Sequence, residues 1–297
     1  MTSPPNTALE YFITSAAKYE ASTGGCTREL ARYLIELSPS IDSDSHVLDN
    51  ACGNGIVAQE ILFNRYAAGK APPAITCVDG APAMVDLARA TCNTIVDVNQ
   101  TRVGAESKNM TFDAMSGEEL RFTDNYFTHS ITNQGILFFQ DAKKGADEIY
   151  RTIKPGGTAI VTSWKVLGYL PVIQEAQKVV TPDAPLFRIP IPEHWFQASH
   201  LGETLRGAGF SDVDVHEKDV YYAFKTKDEL CDMLLKMLGS IAPDLTEQHN
   251  AEFKKRFEIA AEKVILKIER VVPGDIEGRT EELVGLRMVA LVGVAKK

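Results

Sequence analysis

The chain has 297 residues, enough to bury a large core without a disulfide or metal staple, and long enough for two ordinary domains or one large sheet domain with a lid. Lys+Arg 31 against Asp+Glu 40 leaves a net charge of −9, which speaks against binding a phosphate backbone. A hydrophobic content of 44% excludes wholesale disorder, no apolar run approaches the ~20 residues of a membrane span, and the opening Met-Thr-Ser-Pro-Pro-Asn carries no secretory signature, so a cytoplasmic protein with no membrane or nucleic-acid partner is expected.

Residues 7–37 read as two helices, with Tyr11, Phe12, Ala16 and Tyr19 at roughly helical spacing, a break at Gly24-Gly25, and Thr27 capping the second. Strands are then predicted at 46–49, 74–79, 110–113, 127–132 and 158–162, alternating with helices at 56–66, 82–92 and 143–153. That alternation predicts βαβ units, a mostly parallel sheet, and a ligand crevice at the carboxyl ends of its strands. From 165 to 200 the prolines at 171, 182, 185, 190 and 192 predict an irregular connection, with Trp195-Phe196 near its end. A short helix at 201–206, a strand at 212–216, helices at 228–238 and 247–270, and an apolar strand at 286–294 follow. Phe253, Phe257, Ala260, Val264 and Ile268 set the apolar stripe of the 247–270 helix.

The five cysteines (Cys26, Cys52, Cys77, Cys92, Cys231) and the dispersed histidines match no metal or redox spacing, so no metal is expected. The feature that carries chemistry is Val47-Leu48-Asp49-Asn50-Ala51-Cys52-Gly53-Asn54-Gly55, glycines between a strand end and a helix start. Such a loop lets backbone approach a ligand and aims helix N–H groups at it. Gly53-x-Gly55-x-x-Ala58 also fits a dinucleotide fingerprint. Asp49 separates the readings, because a carboxylate at the strand tip repels a pyrophosphate and favours a cationic ligand such as S-adenosylmethionine. Asp79, ending the next strand, suits a ribose in either case.

With these companions the segment resembles the first motif of class I S-adenosylmethionine-dependent methyltransferases, Ala51 standing where many members carry a glycine. Asp79-Gly80-Ala81-Pro82-Ala83-Met84, Phe112-Asp113-Ala114, Lys154-Pro155-Gly156-Gly157 and Gly207-Ala208-Gly209-Phe210 resemble later family segments in order. The resemblance implies a Rossmann-like seven-stranded sheet of order 3-2-1-4-5-7-6 with the seventh strand antiparallel. It implies a core over 40–165, 200–225 and 286–297, with 1–39, 166–199 and 226–285 as a discontinuous helical cap over the substrate site. By position, Asp49, Ala51, Gly53 and Gly55 would line the methionine part of the cofactor. Asp79, Gly80 and Met84 would face ribose and adenine, Asp113 and Ala114 the adenine edge, and Asn133 the methionine amino group. Tyr19 would close over the cofactor, and Trp195 with Phe196 would meet the substrate.

The chain is similar to fungal methyltransferases of secondary metabolism, and among them to the thiol S-methyltransferases acting on reduced epidithiodioxopiperazines of the gliotoxin type. The resemblance thus implies methylation of a small-molecule thiol, leaving S-adenosylhomocysteine. O- or N-methylation of another natural product, an NAD(P)-dependent oxidoreductase, and a non-methylating protein on the same fold stay open as alternatives. A thiol ionises near ~8.5 and needs little help, whereas an alcohol needs a base. No motif designates one, and the candidates are His129, His194 and His200.

Overall fold

The computed structural model describes residues 19–103, 110–246 and 249–297; the helix expected over 7–18, with Tyr11, Phe12 and Ala16, lies outside the described residues. Helix α1 (Tyr19–Ser22) and helix α2 (Cys26–Leu37) are separated where expected, by Gly24 at φ 55° and Gly25 at φ 71°. α2 buries Leu30, Ala31 and Leu34 on one face.

The alternation that follows is β1 (His46–Asn50), α3 (Ile56–Ala67), β2 (Ala74–Asp79), α4 (Pro82–Val103), β3 (Met110–Ala114), β4 (Phe127–Thr132), α5 (Ala142–Thr152) and β5 (Ile153–Val166). These strands pair in parallel, with Asp49 opposite both Cys77 and Ile131, and Asp79 opposite Ala114. β1 and β4 are buried along almost their whole length, as befits inner strands covered by helices on both faces. The register brings the carboxyl ends of β1 to β4 level, so the loops leaving them converge on one crevice.

After β5 the chain forms α6 (Tyr169–Val180), α7 (Ala198–Gly207), β6 (Asp212–Phe224), α8 (Lys227–Ile241), α9 (Pro243–Thr246), α10 (Asn250–Glu262), β7 (Leu266–Val271) and β8 (Thr280–Lys296). The sheet runs β3-β2-β1-β4-β5-β8-β6, with β8 antiparallel to both neighbours. This is the expected Rossmann-like methyltransferase order, β8 taking the seventh place. An eighth strand, β7, pairs only with the first part of β8, from Leu266 opposite Gly285 to Val271 opposite Thr280. β8 is therefore flanked by β5 along its second half and by β7 along its first. Between the two the chain leaves β5 so close to β8 that a Cβ on Gly168 would lie 2.0 Å from the Arg287 carbonyl oxygen.

Several predicted elements differ in extent or kind. The 247–270 helix stops at Glu262; Val264 is exposed and Ile268 lies in β7, so the apolar stripe ends at Ala260. The last strand starts at Thr280 rather than 286, its added residues pairing with β7, and β6 continues to Phe224, its added residues pairing with β8 from Leu291 to Val284. The 165–200 connection holds a regular helix, α6, which tolerates Pro171 because a first-turn N–H has no partner inside a helix.

Candidate active site

The glycine loop is built by backbone that turns left-handed repeatedly. Ala51 (φ 53°), Gly53 (φ 53°) and Gly55 (φ 79°) all sit at positive φ, and the Cys52 N–H donates to the Val78 carbonyl at 2.9 Å, tying the loop to β2. Only Ala51 among the three meets the steric cost of a Cβ there. Gly55 faces α4: a Cβ on it would lie 2.9 Å from the Ala88 Cβ. It therefore packs two helices together behind the loop, outside the cavity lining expected for it.

Asp49 also lies behind the loop. It is 1% exposed, and its Oδ2 accepts the Ala58 N–H of α3 at 3.1 Å. Burial pushes this carboxyl well above the usual range, the Ala58 N–H pulls the other way, and the nearby Asp79 adds to the rise. Its chemistry is that of a buried acceptor at a helix N-terminus, which shapes the loop rather than touching what the loop holds.

Asp79 takes the position at the crevice. Its Oδ2 accepts the Gly53 N–H and its Oδ1 the Ala81 N–H, both at 2.8 Å. Burial raises its pKa and the two N–H groups counter the rise. The side chain thus clamps the loops after β1 and β2 together while keeping lone pairs at the opening. A cavity of about 430 Å³ opens here, within the usual range for a small-molecule site. Ala51, Gly53, Asp79, Gly80 and Met84 form one wall, with Met84 1% exposed against Ala81.

The opposite wall comes from the loops after β3 and β4. Ser116, Gly117 and Glu118 line it where Asp113 and Ala114 were expected. Asp113 instead pairs with Arg121 at 3.0 Å, half exposed, and the Ala114 carbonyl accepts from the same guanidinium at 3.3 Å. Asn133 lines the cavity as expected: its Nδ2 donates to the Thr27 carbonyl at 3.0 Å and its Oδ1 accepts from the Thr162 hydroxyl at 3.3 Å. Gln134 follows at φ 59°, its N–H donating to Thr162 Oγ1 at 2.8 Å. Gly135, Phe138, Phe139 and Gln140 complete this wall. The Phe139 ring is wedged between Gly117 and Gly145, where added Cβ atoms would meet it at 2.4 and 2.3 Å. The two charged side chains among the described lining residues, Asp79 and Glu118, are both acidic.

The remaining candidates lie elsewhere. Tyr19 opens α1, and its side chain falls outside the described residues. Trp195 is 3% exposed; its carbonyl accepts the Ser163 hydroxyl and its ring packs edge-on to His200 at 4.6 Å. Phe196 packs partly buried beside the core, and neither aromatic lines the cavity. The His194 and His200 rings meet at a tilt with centroids 4.3 Å apart, again outside the lining, and burial together with His194 lowers the pKa of His200. His129 is buried three residues before the end of β4, about 10 Å from the crevice at strand rise, with its pKa lowered by burial and its surroundings set by Pro39 and Asp42.

Comparison with known proteins agrees with the fold. Residues 48–161, from β1 into β5, match the methyltransferase domain family. The chain is 26% identical over 222 residues to the methyltransferase ucsB of Acremonium sp, covering 70% of this chain and 72% of that one. It is 22% identical over 248 residues to the acetylaranotin bis-thiomethyltransferase of Aspergillus terreus, covering 80% and 82%. Among solved structures, a putative methyltransferase of Bacillus halodurans superposes with TM-score 0.50 at 18% identity, over 90% of this chain and 98% of that one. The [4+2]-cyclase SpnF superposes with TM-score 0.54 at 19% identity, over 100% and 99%. No described helix is long and apolar enough to cross a membrane.

Proposed function

We propose that this chain, an S-adenosylmethionine-dependent methyltransferase of small molecules, seats its cofactor in the cavity between the glycine loop and the loops after β3 and β4, and S-methylates a thiol of a fungal secondary metabolite. The observation that carries the placement is the charge of the lining. Asp79 and Glu118 face the opening with no basic side chain among the described lining residues, which favours a cationic sulfonium and disfavours a pyrophosphate. Asp79 would accept the ribose hydroxyls on the lone pairs left by Gly53 and Ala81. Met84 would lie under the adenine, and Asn133 with the backbone of Ala51 and Gly53 would hold the methionine part. Asp113 would reach the adenine edge only by leaving Arg121.

S-adenosylmethionine supplies an electrophilic methyl on a sulfonium; the protein's task is alignment and exclusion of water. Asn133, fixed by Thr27 and Thr162, would hold the methionine end of the cofactor beside the β4 loop. The polar lining consists of carboxylates, amides and the Ser116 hydroxyl, which suits an acceptor that ionises without a histidine base, as a thiol does. The match to a bis-thiomethyltransferase over four-fifths of both chains points the same way. Phe138, partly exposed at the mouth, offers a flat apolar surface to the acceptor.

The test is mass spectrometry of products formed from methyl-labelled S-adenosylmethionine with matched panels of dithiols, phenols and amines. Methyl gain confined to the thiols supports the proposal. Gain on phenols or amines alone would replace it with O- or N-methylation. Because a cyclase shares the fold, calorimetry accompanies the assay: S-adenosylhomocysteine binding without any methylated product would mark a non-methylating protein, and NAD(P) binding without it would overturn the cofactor placement.

A further inference from the structure

Two adjacent residues at the start of α2 reach toward the two sides of the cavity, one directly and one through Gln59. Thr27 gives its carbonyl to Asn133 on the β4 side. Arg28 reaches toward the glycine loop. It is 4% exposed, and its Nε and Nη2 hold the two carboxylate oxygens of Glu20 on α1, the Nη2 contact at 2.9 Å. Its Nη1 donates to Glu60 Oε1 at 2.6 Å and its Nη2 to Gln59 Oε1 at 2.8 Å, both on α3. The Gln59 amide then donates to the Asn54 carbonyl at 2.8 Å, between the two positive-φ glycines of the loop. Arg32 takes the second oxygen of Glu60 at 2.8 Å, so two arginines face two carboxylates and the cluster is balanced.

Resting on the cofactor placement above, we propose that Arg28 is a positioning residue: it makes helix α1 and the glycine loop one unit, so that cofactor binding and the docking of α1 are linked. The apolar faces of α2 and α3 bury Leu30, Leu34, Ile61 and Leu62 without help from this cluster. The cluster's contribution is geometric. A guanidinium is planar and presents several donors in a fixed fork, so it can span Glu20, Gln59 and Glu60 at once; a lysine ammonium is a point and cannot. Neutralising Glu20 weakens the hold of buried Arg28 on α1 while Glu60 still pairs it to α3, so the link between the two elements is what loosens.

The experiment is calorimetric titration with S-adenosylhomocysteine and amide hydrogen exchange over residues 19–25, on the wild type and the variants Glu20→Gln, Arg28→Lys and Arg270→Lys. Arg270 is the control: it holds the same turn through the Gly24 carbonyl and Glu29, both at 2.8 Å, without touching the glycine loop. In the wild type, S-adenosylhomocysteine should slow exchange over 19–25. Glu20→Gln and Arg28→Lys should bind about five- to twentyfold more weakly and lose that added protection. Arg270→Lys should lower Tm yet keep Kd within about twofold. Glu20→Gln is partly exposed and keeps a neutral hydrogen bond to Arg28, so it carries the test even if Arg28→Lys does not fold. Wild-type affinity and protection in Glu20→Gln would overturn the inference alone. A wild type that does not bind S-adenosylhomocysteine would instead overturn the cofactor placement.

Discussion

Gly135 permits a clean test of how the cavity floor is built. Its backbone, at φ −92° and ψ −46°, is one that alanine adopts freely, so Gly135→Ala introduces a contact and no strain of its own. The new Cβ would lie 2.5 Å from the Ala51 Cβ and 3.1 Å from the Thr132 Cγ2. Neither neighbour is the tip of a flexible chain, and Ala51 is already held at φ 53°. Overpacking of this kind costs about 1–3 kcal/mol. Ala51→Gly removes the nearer atom and relieves a left-handed alanine worth about 1–2 kcal/mol, against an unfolded-state entropy cost of about 0.4–1 kcal/mol. Those backbone contributions belong to single sites and cancel in a double-mutant cycle, leaving the Ala51–Gly135 contact as a coupling of about 1–2 kcal/mol. Urea unfolding of the wild type, both single variants and the pair measures it. S-adenosylhomocysteine affinity should fall about tenfold in Gly135→Ala and recover in the pair, since the two residues meet where the opposite walls of the cavity join at its floor. Additivity within about 0.3 kcal/mol, with no recovery of binding, would refute the reasoning.

Asp79→Ala should weaken S-adenosylhomocysteine by about 1–3 kcal/mol in calorimetry, whereas Asp113→Ala, paired with Arg121 outside the cavity, should change it less than about threefold; the reverse ranking would move the adenosine to the Asp113 side. The raised pKa of buried Asp49 means the folded state holds this proton more tightly than the unfolded chain. Its contribution to stability is therefore greatest below the ordinary carboxylate value of about 4 and declines as pH rises through the folded pKa. In urea midpoints against pH, Asp49→Asn minus wild type should climb from about pH 4 upward, and a flat difference would contradict the assignment. Phe139→Ala removes the ring between Gly117 and Gly145 and should cost about 2–4 kcal/mol in thermal or urea unfolding; a loss below about 1 kcal/mol would show the loop after β3 and helix α5 to be spaced by something else.

The parallel half of the fold was readable because strand, loop and helix there announce themselves locally: Asp49 through Gly55 and Asp79 through Met84 occupy the predicted places. β7 was not. Leu266-Lys267-Ile268-Glu269 alternates like an edge strand, but Ile268 also continues the helical spacing from Phe253, and only pairing with β8 decides between the periods. The site shows the same division. Ala51, Gly53, Asp79, Gly80, Met84 and Asn133 line the cavity as their motif places predict. Asp49 and Gly55 belong to the same motif yet face inward, because burial behind a loop has no signature in residue order. Asp113 was misplaced through a partner, Arg121, that only the folded loop brings alongside. Ser116 to Glu118 and Phe138 to Gln140 had only their proximity to strand ends to mark them, and Trp195 was drawn toward the substrate by residue type although it seals β5.

The double-sided pairing of β8 bears on the order in which the molecule can be assembled. Among the described residues β6 and β7 hydrogen-bond to no strand except β8, and the second half of β8 covers β5. While the chain is being synthesised, β1 to β5 can close their parallel sheet early. β6 and β7 wait as unpaired edges until Thr280 to Lys296 emerge, an interval in which such edges are open to pairing between molecules. Lys297 is part of the closure: it exchanges backbone hydrogen bonds with Gly156 and Gly157 at 2.7 and 3.1 Å, and its ammonium caps the Tyr150 carbonyl at 2.8 Å. Loss of the residues from Val289 onward would therefore leave the outer edge of β5 and the first half of β6 without a partner at once, and would be felt as failed maturation rather than as a weakened site.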